Sequence, residues 1–205
     1  MGLALMAATG LWLLPVRAPA TIAEQRARLP PAAECGDEVV EGVWRAHQYW
    51  AFQRSWYVFT LYIRRVPGSA GELTGRITSQ SWMGTRSDEE PPSCAQQPSQ
   101  RTVSFEARGR VADGGQIQFG GVGQWRVAAN PCNSRMGGYN LDNFSGLIEP
   151  ERLEFQSVNN DGGEAVNIPT VFRRVRCPPE VSADAPSVNP IPPAFYPDSR
   201  AGCGR

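Results

Sequence analysis

Between Val39 and Cys177 the chain alternates apolar and polar residues with a period of two, and turn-forming residues break the pattern about every ten positions. Successive side chains of a strand point to opposite faces, so this pattern describes half-buried antiparallel strands joined by short turns. Val40, Gly42 and Trp44 alternate with Glu41, Val43 and Arg45. From Trp56 to Val66, Phe59, Leu61 and Ile63 share one face and Trp56, Val58, Thr60 and Tyr62 the other. Leu73, Gly75 and Ile77 oppose Thr74, Arg76 and Thr78 in a strand that runs to Trp82. The pattern returns at Val103–Val111, at Ile117–Phe119, at Trp125–Val127 and at Phe144–Ile148, then at Leu153–Ser157 and Val166–Cys177. No window longer than about two turns carries helical periodicity without Gly or Pro intervening. The expectation is an all-β, antiparallel up-and-down meander of eight to ten strands, closed or nearly closed into a barrel.

Four cysteines fence this region. Cys35 precedes the first strand, Cys177 ends the last, and Cys94 and Cys132 lie in two loops between. Three pairings are open to four cysteines. Their positions favour Cys35 with Cys177, which would tie the ends of the meander together, and Cys94 with Cys132. Disulfides imply an oxidising compartment, and the first twenty residues fit that. Leu3 to Val16 is an uncharged apolar run, too short to span a bilayer, which takes about 20 residues. Ala18-Pro19-Ala20 follows it as a signal-peptidase site, although no basic residue precedes the run. The expected division is a signal peptide at 1–20, a linker with a turn of helix at 21–38, a barrel domain at 39–177, and a Pro-rich disordered tail at 178–205. The expected location is secreted, periplasmic or cell-envelope, with membrane attachment only through an uncleaved signal. Cys203 is left over in the tail.

Twenty basic residues, all Arg, balance twenty acidic ones, so no net field favours nucleic acid. Metal binding finds no support: there is no CxxC pair, and His47 is the one histidine. The same histidine count leaves a Ser-His-Asp triad only His47 as its base, and no nucleophile elbow or phosphate loop is present. No catalytic residue, metal ligand or cofactor is assigned. Asn159 to Glu164, rich in oxygen ligands, reads as a turn before it reads as a calcium loop, because Asn, Asp and Gly tolerate positive φ. Asp142-Asn143 reads the same way.

Ser104–Val111 leads through Gly114-Gly115 to Ile117-Gln118-Phe119, and Phe144–Ile148 leads through a Pro150 turn to Leu153-Glu154-Phe155. Both are a glycine-bearing strand, a tight turn and an apolar-polar-aromatic strand, as in consecutive hairpins that curl. Together with this meander, Gly42-Val43-Trp44 on the first strand and Arg173, Arg174 and Arg176 on the last resemble the lipocalin-like (calycin) barrels over Val39 to Cys177. In that family the Trp of a Gly-x-Trp closes one end of the barrel beside an arginine from near the last strand. The resemblance implies a barrel whose interior takes a small apolar ligand. No Thr-Asp-Tyr loop motif accompanies it.

The densest feature is aromatic. Trp50, Phe52, Trp56, Tyr57 and Tyr62, with Trp82 on the next strand, are the ligand-binding candidates, since alternation cannot place all of them in one core. The sequence therefore points to an exported, non-enzymatic binding module for a small apolar or aromatic ligand. The alternative is a structural or protein-interaction domain of the cell envelope, using the same aromatics around a filled interior. A hydrolase or isomerase would need clustered carboxylates with raised pKa in a cleft.

Overall fold

A computed structural model describes residues 21–97, 99–135 and 137–178. The segment 1–20 and the tail beyond 178, Cys203 included, lie outside the described residues. The strands are β1 (Gly42–Trp50), β2 (Ser55–Arg65), β3 (Glu72–Met83), β4 (Arg101–Val111), β5 (Gln116–Ala129), β6 (Asn143–Glu149), β7 (Glu154–Asn160) and β8 (Val166–Arg176). Each pairs antiparallel with its neighbour in sequence, and β8 pairs back onto β1, which closes an eight-stranded up-and-down barrel. The two segments expected around Phe119 and Trp125 are one strand, β5. Register shifts against β4 between Thr102 and Val103, and between Ser104 and Glu106, absorb its extra residues, with Gly123 at φ 73° in the irregular stretch.

Side-chain parity follows the pattern of the sequence. Inward positions near one end carry Leu61, Ile63, Leu73, Ile77, Phe119 and Phe155, all buried. Each fully buried Phe or Leu contributes roughly 1.5–3 kcal/mol. Outward positions such as Arg45, Arg64, Arg76, Glu106 and Arg108 meet water or sit among polar neighbours. Among the described residues no helix is long and apolar enough to cross a membrane. The barrel curls tightly where glycines sit inside strands. A Cβ at Gly75 would fall 1.7 Å from the Tyr62 carbonyl oxygen, so only glycine lets β3 lie so close to β2 there.

The filled end is sealed by Trp44, which is fully buried and donates its indole N–H to the Val40 carbonyl at 2.9 Å. The Arg174 guanidinium, 1 % exposed, lies 5.8 Å from the Trp44 ring centre. Its Nε donates to Ala33 O at 3.2 Å, and it also bonds Glu38 O. Gly42 makes room for it: a Cβ there would stand 2.6 Å from Arg176 O and 3.1 Å from the Arg174 Cδ. Simple alternation would send Arg174 and Arg176 to the same face. A register shift pairs Arg176 with Val43 but Arg174 with Trp44, so the two arginines part, and only Arg174 turns inward.

The linker of the sequence reading is part of the wall. Thr21 and Glu24 form a reciprocal capping box on α1 (Ile22–Ala27). The β1–β8 ladder runs over three pairs, from Val43↔Arg176 to Arg45↔Arg173. Above it the Gln25 side chain acts as a piece of strand, donating to Pro169 O and accepting from Val171 N–H, both at 3.0 Å. Gln48 reaches Pro169 O from β1. Glu154, 2 % exposed, takes bonds from Arg26 and Arg173, each at 2.9 Å, and so fastens α1 to the barrel. The disulfides are Cys35–Cys177, which pins this segment to the end of β8, and Cys94–Cys132, which joins the β3–β4 and β5–β6 loops. This is the pairing that chain position favoured.

Candidate functional site

The strand directions put the connections 51–54, 84–100, 130–142 and 161–165 at the end opposite Trp44. There the interior changes character. Inward positions carry Gln48, Ser55, Tyr57, Ser79, Ser81, Ser157, Asn159 and Thr170. Small polar side chains do not fill a barrel of this girth, and a pocket of about 470 Å³ opens at this end, with Ser55, Tyr57 and Ser81 of that set on its wall. Trp50, Tyr57, Phe59 and Tyr139 supply its aromatic walls, and Gln53, Arg101, Arg135, Asp142, Asp161 and Glu164 its polar ones.

Trp50 and Tyr57 come together by register: Trp50 pairs with Ser55 at the end of β1, one inward position from Tyr57. Their ring centres are 4.6 Å apart. Tyr57 stacks on Phe59 at 5.9 Å, and Phe52, exposed on the rim, stacks on Trp50 at 5.8 Å. Aromatic surface thus runs without a break from the rim to the packed floor. The indole N–H of Trp50 is buried without an acceptor.

The other candidates lie elsewhere. Trp56 and Trp82 face outward and pack with Tyr49, Val58 and Ala51 in a second cluster on the outside of the barrel. The chain covers it: Trp56 Nε1 donates to Thr85 O at 2.8 Å, Trp82 Nε1 to Asp88 O at 2.9 Å, and the Arg28 guanidinium sits 4.8 Å from the Trp56 ring centre. Trp82 also borders the pocket. His47 belongs to this covered cluster, 5.0 Å from Trp56, and burial holds its pKa below the usual imidazole range. Tyr62 is half-exposed on the outer face near the filled end, beside Val43, Arg64 and Arg176.

Two residues that line the pocket, Tyr139 and Asp142, and the Asn159 that anchors Asp142 depart from the turn reading of the sequence. Tyr139 and Asp142 belong to the β5–β6 connection, and Asn159 is a fully buried inward residue of β7, not the start of a turn. The turn proper begins at Asp161, whose Oδ1 accepts from Gly163 and Ala165 N–H at 2.7 and 2.9 Å. Asp142 is 4 % exposed, accepts the Tyr139 hydroxyl on one oxygen, and accepts Asn159 Nδ2 at 2.7 Å on the other. Burial raises its pKa to about 6, with those two hydrogen bonds pulling the other way. Burial also pushes the Tyr57 phenol up to about 12, against the pull of Arg101. Both Asp142 oxygens are engaged in holding the loop, which suits a structural anchor better than a proton donor to substrate. The inward parity of Phe155 and Ser157 was enough to place Asn159 inside; nothing local marked Asp142 as buried.

Fold and site define a closed, disulfide-linked eight-stranded antiparallel barrel, packed at one end and open to a mixed aromatic and charged pocket at the other. No family model, curated protein or solved structure matches the chain.

Proposed function

We propose that the protein is an exported binding module whose open-end pocket takes a small molecule with an aromatic body. One observation carries this: the interior is filled around Trp44 but leaves about 470 Å³ between Trp50, Tyr57 and Tyr139, within the usual range of roughly 300–1,000 Å³ for small-molecule sites. The Trp44–Arg174 seal behind Gly42 supports a lipocalin-like architecture, and the two disulfides support export to an oxidising compartment. The polar rim departs from a purely apolar ligand, because burying Arg101 and Glu164 against hydrocarbon would leave charge uncompensated.

Native mass spectrometry of the oxidised protein, exported from its own host, tests the reading. A small-molecule adduct is expected, and it is expected to disappear in Ser81→Trp, which fills the pocket from an inward position of β3. A bare protein mass, or an adduct that survives Ser81→Trp, refutes it. The exposed rim aromatic Phe52 favours the second reading, docking of a protein partner at the same end. That reading expects no adduct and a complex lost on Phe52→Ala.

A further inference from the structure

The charges lining the pocket are of both signs and come from several places around the barrel. Arg101 opens β4 and Arg135 lies in the β5–β6 connection, whereas Asp142 precedes β6 and Asp161 and Glu164 occupy the β7–β8 turn. In a ring of eight strands the start of β4 stands nearly opposite the β7–β8 turn. Arg101 therefore faces Asp161 and Glu164 across the mouth, while Arg135 and Asp142 share the β5–β6 connection. Among the described residues none of these five joins an ion pair; the pairs that form, such as Arg26–Glu154 and Arg28–Glu89, lie on the outside of the barrel. Tyr57 lines the same pocket as charges of both signs. Its hydroxyl donates to Gln53 Oε1 at 2.8 Å, and Gln53 Nε2 donates to Glu164.

One buried polar atom points to what is missing. Trp50 Nε1, on the pocket wall, is a donor with no acceptor. A buried polar group left unmatched costs free energy that a ligand can recover. An apolar ligand would leave the Trp50 N–H unmatched and would desolvate charges of both signs. A simple cation or a simple anion would answer charges of one sign and be repelled by the other.

Resting on the pocket reading above, we propose that the ligand is a small aromatic zwitterion of the α-amino-acid type. Its ring lies against Trp50 and Tyr57. Its carboxylate turns toward Arg101 and the Trp50 N–H, and its ammonium toward Asp161 and Glu164. Arginine suits the carboxylate, because its planar fork matches two oxygens at once.

Titration calorimetry of the full oxidised protein with tryptophan, tryptamine, indole-3-propionate and indole separates the possibilities. Tryptophan is expected to bind at least about tenfold more tightly than each of the other three, as expected when charge partners on both sides are met at once. Arg101→Gln is expected to weaken tryptophan and indole-3-propionate about tenfold and leave tryptamine unchanged. Glu164→Gln is expected to weaken tryptophan and tryptamine and leave the acid unchanged. Indole binding as tightly as tryptophan overturns the zwitterion assignment and leaves the pocket reading standing. So does a loss in both variants that ignores ligand charge. No binding by any of the four at millimolar concentration overturns the zwitterion assignment, and an adduct in the native mass spectrum then keeps the pocket reading alive by itself.

Discussion

Asp142 makes the stability of this barrel depend on pH in a direction unusual for a carboxylate. Buried beside Tyr139 and Asn159, it titrates near 6 in the folded chain, against an ordinary value of 3.8. Below about 4 the carboxyl is protonated in both folded and unfolded chains and its burial carries no charge penalty. Between about 4 and 6 the folded chain holds the proton and the unfolded chain has lost it, so stability falls as pH rises. Above about 6 both are ionised and the full penalty applies. The displacement is about two pH units at 1.4 kcal/mol each, or about 3 kcal/mol. Asp142→Asn removes the charge while keeping the shape. Its carbonyl can still accept the Tyr139 hydroxyl, and its amide can donate to Asn159 Oδ1, at present unmatched, once the Asn159 amide turns over. Urea unfolding followed by tryptophan fluorescence, disulfides intact, should therefore show the variant gaining about 3 kcal/mol on the native protein between pH 4 and pH 7.5. Taking the difference between the two proteins cancels other titrating groups, such as Glu38, which two backbone N–H groups and Arg65 hold below the usual range against the cost of burial. A difference constant across that window would refute the claim that Asp142 is a buried, reluctantly ionised group.

Two further outcomes test the seal and the curl of the barrel. Arg174→Ala removes the cation over Trp44 and the partners of the Ala33 and Glu38 carbonyls, and should lower unfolding free energy by about 3 kcal/mol in urea; a loss below about 1 kcal/mol would mean the seal is replaceable by water. Gly75→Ala should abolish the folded far-ultraviolet and fluorescence signatures, because its Cβ would overlap the Tyr62 carbonyl, whereas Gly123→Ala, with nothing within 4 Å, should cost only about 1–2 kcal/mol of left-handed strain. Equal effects at the two glycines would show that close strand approach does not set the barrel's curvature.

The aromatic segment shows where local pattern stops being informative. Period two correctly parted Trp56, Val58, Thr60 and Tyr62 from Phe59, Leu61 and Ile63, since parity is a property of the strand alone. It could not say that Trp56 and Trp82 would be roofed by their own chain around Thr85 and Asp88, because that roof is a loop packing decision made at long range. Alternation failed outright at Arg176, where a register shift between β8 and β1 reversed the face. A bulge is the joint property of two strands, and neither strand carries it alone.

What the sequence determined by itself is the material of the barrel: strands from periodicity, turns from Gly, Pro and Asn, an oxidised framework from cysteine placement, and the faces on which most side chains lie. What only the tertiary structure decided is the pocket. Its members come from β1, β2, β3, β4, the β5–β6 connection and the β7–β8 turn, and Asp142 is held inside by Asn159 of β7, far from it in the chain. Alternation is enforced by the geometry of one extended segment, so it can be read locally. A cavity is the space that closure of the whole ring fails to fill, and no segment encodes it.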